Sequence, residues 1–442
     1  MKKISYFASM MLALFMTTSC SIMNDNPTPP PTPEKTTTTI TLDGTDYEAD
    51  VVATFKGEVG QEVSLGLGVY DEFDIYGVDF GDGNIQTDTV CYQNLGLRNA
   101  EGITRTDTKH TKATVFTGTV AGEGNITVYG VNKSDIWYLI CSGNAIPTSF
   151  DQEKLKNVVQ ASFSGANVES IELPALECLT QFSFTNSPVK SVDVSKATKL
   201  ESLSIIYAPT YSGEMNLEAI DVQNNTELTY LSIQAQATGV NAKLKEIDLS
   251  KNTKLTSIYL PNNSLEKVTL PADYTSTDPN NPSALAKVTV FLQNNQLTAV
   301  DGDLDKLPAK SQINISNNKF TLGTLPVKPA NVTASKYTYA PQPAYQVAEA
   351  ITNQNNLLDL SSQLTATGVA SEPQTTTYTL KAGATTLTEG EDYSVVEPGK
   401  FQFLKSQADP VHVEMATDAF PKFKNANAYV TTDFTVTITA EN

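Results

Sequence analysis

Histidine is nearly missing from this sequence, and basic residues are scarce. His110 and His412 are the only two histidines in 442 residues. They lie far apart, with no clustered Cys, His or Asp around either. A zinc site or a Ser-His-Asp triad needs more than that, and no metal or cofactor is expected. No glycine-rich phosphate loop is present. Lys+Arg total 30 against 49 for Asp+Glu, a net charge of −19. That field repels a phosphate backbone, so nucleic acid is not an expected partner. No later hydrophobic run approaches the length of a membrane helix.

What is present begins with a targeting segment. Lys2 and Lys3 precede the apolar run Ile4–Met16, which is too short to span a bilayer, and "TTSC" ends at Cys20. This phrase resembles a lipobox. The resemblance implies cleavage between Ser19 and Cys20 and acylation of the Cys20 sulfur. Thr17 stands where Leu is usual, as in the looser lipoboxes of Bacteroidetes-type lipoproteins. The other reading is ordinary secretory cleavage beside a chance cysteine. Residues 1–19 are therefore expected to be a signal peptide, and residues 20–35 a lipidated cysteine and Pro-rich tether. Acyl chains would be the only membrane anchor, at the outer membrane or cell surface. Cys91, Cys141 and Cys178 remain, an odd count that argues against a disulfide framework and leaves a single bridge open.

Residues 36–135 alternate Thr, Val and aromatic residues between turn signals, which predicts antiparallel strands. "YGVDFGDGN", Tyr76–Asn84, resembles the W-D-F-G-D-G-T turn of PKD-like β-sandwich domains, with Val78 at the Trp position. Asp79 and Asp82 fit a hydrogen-bonded turn better than a calcium site, which wants more oxygens.

Residues 136–330 repeat one phrase. It begins at Ile136, Val158, Leu179, Leu200, Leu228 and Leu255, with degenerate copies from Lys287 and Lys310. A linking phrase recurs as "VDVSKATKL", "IDVQNNTEL" and "IDLSKNTKL". Self-similarity at this period predicts a solenoid. The phrase resembles the leucine-rich repeat, L-x-x-L-x-L-x-x-N-x-L. Its L-x-L centre is a short strand whose two apolar side chains share one face and stack between coils. Asn144, Asn263, Asn295 and Asn318 fall where the chain leaves the strand, placed to satisfy buried backbone groups. One coil buries too little to offset its ordering entropy, so neighbours and end caps must supply the rest.

Residues 343–442 alternate again, as at Phe401/Phe403 and Val411/Val413/Met415, which predicts an immunoglobulin-like sandwich. The expected fold class is thus mainly β: a leucine-rich-repeat solenoid between an N-terminal PKD-like and a C-terminal Ig-like β-sandwich.

Nothing selects a catalytic pair. Cys141 occupies an inward L-x-L position and reads as a buried hydrophobe. Asp301, Asp303 and Asp305 resemble part of an EF-hand loop whose Gly and Glu are missing, and read as a solvated turn. Binding is the better expectation. The outward strand positions are read as Trp137, Tyr138, Ile140, Ile206, Tyr230, Tyr259 and Phe291, among Ser, Thr and Gln. Tyr230, Tyr259 and Phe291 are expected to form one aromatic patch, serving either as a binding anchor or only as sheet packing. The chain is similar to leucine-rich-repeat surface lipoproteins of Bacteroidetes-type bacteria. That resemblance implies a non-enzymatic envelope protein holding a protein or glycan in adhesion or capture. The alternatives are an accessory polysaccharide-binding lipoprotein of a glycan-uptake system, and a hydrolase with an unrecognised carboxylate pair.

Overall fold

A computed structural model describes residues 37–69, 73–91, 114–131, 136–150, 158–165, 170–172, 178–236, 241–275, 287–302, 304–354, 356–370, 372–424 and 427–439. The chain forms two compact units, Met1–Ile220 and Asp221–Asn442. Among the described residues the regular structure is β-strand with three short 3₁₀ turns. No described helix is long and apolar enough to cross a membrane. Cys20 and the tether lie outside the described residues.

The strands of the first unit are β1 (Thr37–Leu42), β2 (Thr45–Gly57), β3 (Glu62–Val69), β4 (Phe73–Asp79), β5 (Ile85–Cys91), β6 (Thr114–Thr119) and β7 (Asn125–Gly130). They continue with β8 (Ile136–Ser142), β9 (Ala145–Phe150), β10 (Gln160–Ser164), β11 (Ser170–Glu172), β12 (Gln181–Thr185), β13 (Ser191–Asp193) and β14 (Ser202–Tyr207). One antiparallel sheet has the order β1-β2-β7-β4-β5, with β9 also on β2. The turn after β4 is built as the sequence predicts. Asp79 Oδ1 accepts from Gly81 N at 2.7 Å and Gly83 N at 3.1 Å. Asp82 accepts from Asn84 N at 2.9 Å and Asn84 Nδ2 at 3.1 Å, and these bonds hold its carboxyl below the usual carboxylate range. Gly81 has φ 96°, and a Cβ there would lie 2.6 Å from Ala121 O.

The N-terminal block is not closed off from the repeats. β3 pairs antiparallel with β6 on one side and with β8 on the other. Parallel pairing then runs β8-β10-β12-β14. Leu139 and Cys141 of β8 stand in register with Ala161 and Phe163, then Phe182 and Phe184, then Leu203 and Ile205. All eight are at most 4% exposed, so the inward L-x-L pairs form two continuous columns. The chain leaves β8 through a turn in which Gly143 N donates to Ser164 O of the next coil, and then enters the other sheet as β9 on β2. Asn144 Nδ2 donates to Glu58 Oε2 at 2.8 Å, an exposed side-chain contact.

The second unit carries β15 (Tyr230–Ala235), β16 (Glu246–Asp248), β17 (Ser257–Tyr259), β18 (Lys267–Thr269), β19 (Thr289–Phe291), β20 (Gln312–Asn314) and β21 (Tyr337–Thr338). β15, β17, β19, β20 and β21 pair in parallel, and β16 pairs with β18 on the return side. Three successive coils turn off their strands through two asparagines with different work. The first sits in the left-handed region: Asn262 at φ 55°, Asn294 at 61° and Asn317 at 52°. Asparagine tolerates that conformation better than other residues with a Cβ. These exposed-side amides link coil to coil, Asn317 Nδ2 to Asn294 Oδ1 at 2.9 Å and Asn294 Nδ2 to Asn262 Oδ1 at 2.6 Å.

The second asparagine turns inward. Asn295 Nδ2 donates to Leu260 O and Leu292 O, each at 2.9 Å, while its Oδ1 accepts from Leu265 N at 3.0 Å. Asn318 repeats the pattern with Leu292 O, Ile315 O and Leu297 N. Asn263 donates to Ile233 O at 2.7 Å, but its Oδ1 has no donor. The coil before it carries Gln236 at this corner and lacks the N-x-L continuation. A further ladder braces the linking phrase, where buried Asn252 donates to Val222 O and Asn225 O at 2.9 Å.

The repeats run one coil past the predicted end at residue 330. Tyr337 pairs with Ile313, and Tyr337 and Tyr339 fill the two inward columns at 0% and 1% exposure. The C-terminal strands close this end, as expected of a cap. Tyr339 packs edge-on against Phe420 at 5.0 Å and Phe423 at 5.3 Å, and its hydroxyl accepts from Lys422 N at 2.8 Å. Beyond it, a four-stranded sheet (Thr385–Thr386, Thr377–Ala382, Val411–Ala416, Tyr429–Val430) accompanies a three-stranded one (Leu357–Asp359, Lys400–Phe403, Tyr393–Glu397). Leu380, Phe401, Phe403, Val411, Val413, Met415, Phe434 and Val436 are buried, as their alternation predicts.

Candidate functional site

The candidate surface is the outward face of the second unit's parallel sheet. Side chains alternate along a strand, so Leu231, Ile233, Ile258, Leu260, Val290 and Leu292 point inward and their neighbours point out. Register then decides which outward residues meet. Tyr230 stands opposite Ser257, and Tyr259 stands opposite both Ser232 and Phe291. Tyr230 and Tyr259 are diagonal neighbours, within reach of aromatic rings. Their centroids lie 5.7 Å apart with planes tilted 41°. Tyr259 and Phe291 lie 5.3 Å apart, edge to face at 90°. All three are half-buried. The structure therefore brings Tyr230, Tyr259 and Phe291 together as one aromatic group.

Polar neutral groups surround it. Ser232 is buried and accepts from Gln234 Nε2 at 2.9 Å. Asn314 stands opposite Phe291, and its Oδ1 accepts from Ser316 N and Ser316 Oγ. Gln293, two residues beyond Phe291 on the same face, has a buried Oε1 with no hydrogen-bond partner.

The other expected positions do not join this group. Trp137 was expected to face outward, and the structure corrects this. It shares the parity of Leu139 and Cys141, is 4% exposed, and packs with Val159 and Cys178 in the core. Trp137 is the extra residue where the β3–β8 register slips between Tyr138 and Ile136, so its packing rather than alternation places it inside. Tyr138 does take the outward parity, between Gly68 of β3 and Gln160 of β10. It is only 9% exposed, and burial raises its hydroxyl pKa. Ile140 and Ile206 are half-buried on the strand face of the first unit. Cys141 is buried as predicted, with its thiol pushed up to about 12 by desolvation. A thiol so shifted is no nucleophile. His412 Nδ1 lies 3.7 Å from Asp433 Oδ1, and among the described residues no three His, Cys, Asp or Glu side chains cluster to hold a metal.

The reading of the sequence missed two groups of residues. Tyr337, Tyr339 and Gln342 form the last coil, with Tyr in place of Leu and Gln in place of Asn. Asn225 and Asn252 form the linking-phrase ladder, whose signature in the sequence is the repeated N-T-x-L.

No family model matches this sequence, and no curated protein matches it. Among solved structures, the chain is similar to the functional domain of InlJ from Listeria monocytogenes, a domain that includes a cysteine ladder. The TM-score is 0.40 at 18% identity, covering 66% of this chain and 55% of that one. The chain therefore spans a little over half the length of that structure.

Proposed function

We propose that this chain is a non-enzymatic binding protein of the cell envelope, anchored by acyl chains on Cys20. The outward strand face of its second unit holds the partner, a protein or a glycan. The observation that supports this most is the group of Tyr230, Tyr259 and Phe291, three half-buried rings in contact on that outward face. Aromatic residues clustered on a surface bury much area at little entropic cost, which is what a binding anchor does. Rings that serve sheet packing alone predict a different outcome.

A binding comparison separates the two. A Tyr230→Ala/Tyr259→Ala double variant is screened against glycan and matrix-protein arrays beside the native chain. Lost binding at retained secondary structure supports the proposal, and equal binding by the double variant refutes it. Radiolabelled palmitate incorporation tests the anchor separately. Label that persists in Cys20→Ala removes Cys20 from that role.

A further inference from the structure

We infer that the aromatic group is a subsite for a neutral glycan chain, an inference that rests on the strand face of the second unit being the binding face. The carrying observation is charge. The strands that bear this face read YLSIQA, SIY, TVF and QIN. None contains Asp, Glu, Lys, Arg or His. Yet the same unit is densely charged off the face: the linking segment from Lys243 to Leu255 reads KLKEIDLSKNTKL. The chain as a whole is 18% charged with net charge −19. Ionic side chains are thus absent from these four strands, whose outward residues are rings, hydroxyls and amides.

Each candidate partner wants something different from such a surface. An anionic glycan needs cations to offset the desolvation of its carboxylates or sulfates. The face offers none, and the whole-chain field opposes approach. A protein partner is usually steered and registered by charged groups around the aromatic centre. The strands here supply none. A neutral sugar matches both halves of the surface. Its apolar C–H face lies on an aromatic ring, and its hydroxyls exchange hydrogen bonds with side-chain amides, which donate and accept at once. Gln293 Oε1, a buried acceptor without a donor beside Phe291, is the kind of group a sugar hydroxyl satisfies once the amide swings outward. Neighbouring strands place these groups about 4.8 Å apart, so the rings offer a track across the strands rather than a closed pocket.

The test is affinity electrophoresis of the full chain in gels containing neutral polysaccharides (amylopectin, mixed-linkage β-glucan, galactomannan, dextran) or anionic ones (polygalacturonate, hyaluronate, chondroitin sulfate). Expected is retardation by at least one neutral polysaccharide, unchanged between about 50 mM and about 500 mM NaCl because no ion pair is screened. Tyr259→Ala should weaken that binding about tenfold or more, and Tyr259→Trp, which keeps a ring on the fold, should retain it. Retention by anionic polysaccharides alone, or by a matrix protein alone, that is lost in Tyr259→Ala overturns neutrality while leaving the binding face in place. Neutral-glycan binding that survives Tyr259→Ala removes the face itself. No retention by any neutral polysaccharide overturns the inference.

Discussion

The Gln342 side chain accepts a hydrogen bond from Asn318 N at 2.9 Å, closing the asparagine ladder with a glutamine. Its Nε2 donates to Ile315 O at 2.9 Å and to Tyr339 O, so one side chain braces two successive coils. Gln342→Leu keeps the volume and removes all three bonds. Stranding the buried Asn318 N–H alone costs about 1–3 kcal/mol. The expected result is a lower urea midpoint at unchanged slope, with faster hydrogen exchange at the Asn318 amide. An unchanged midpoint would show that the last coil is held by its tyrosines alone.

Asn294 tests the outer corner. Its φ of 61° is tolerable for asparagine and free for glycine. A β-branched residue there carries about 1–2 kcal/mol of backbone strain on top of the lost amide bonds to Asn262 and Asn317. Thermal unfolding should rank native above Asn294→Gly above Asn294→Val. If valine equals glycine, backbone conformation does not explain why asparagine sits at this corner.

These two positions show what could be read in advance. Columns of Leu, Ile, Val and Phe at L-x-L spacing were legible because side-chain alternation leaves one register in which they all go inside. The Tyr230, Tyr259 and Phe291 group was legible for the same reason, from the opposite parity. Trp137 was misplaced because the β3–β8 register slips at this residue and its ring packs on Val159 and Cys178, a bulge no local spacing announces. The coil at Tyr337–Gln342 escaped because tyrosine fills a column as well as leucine when its hydroxyl finds a partner. Tyr337 does this through Pro326 O and Tyr339 through Lys422 N. The fusion of β3 to β8 is a long-range pairing that no local spacing announces.

Acid should act partly through the linking phrase. Asp248 Oδ1 accepts from Ser250 N at 2.9 Å, and its Oδ2 accepts from Gln223 Nε2 at 2.7 Å. The Ser250 backbone N–H first, then the Ser250 hydroxyl, hold the carboxyl below its usual value. A depressed folded-state pKa contributes stability that is present above the unfolded value near ~3.9 and lost as pH falls through the folded one. Asp248→Asn lacks that contribution at every pH. Denaturation midpoints measured from about pH 7 down to about pH 2.5 should converge at the acid end, by a modest amount because the group is exposed. A gap that stays constant across the range would rule out this linkage.

Cys141 gives the most direct check on the stacked columns. It lies 1% exposed between Leu65 of β3 and Phe163 of β10, in a position that a leucine fills in other coils. Its Sγ is 3.7 Å from Ala145 O, and desolvation pushes the thiol up to about 12. Against an ordinary cysteine near ~8.5, that leaves roughly a thousandfold less thiolate at pH 8, before steric exclusion is counted. Iodoacetamide labelling followed by peptide mapping should find Cys141 unmodified in the folded chain and modified in denaturant. At low reagent its labelling rate should track the equilibrium population of the opened first unit, because reclosing outpaces modification and only the opened state presents a thiolate. Destabilising the unit elsewhere, for instance by Gly81→Ala, should then speed labelling of Cys141 without touching it. Rapid modification in the native chain would mean that the column beneath β3 and β10 is open to water, and that the inward stacking of these coils is wrong at its first step.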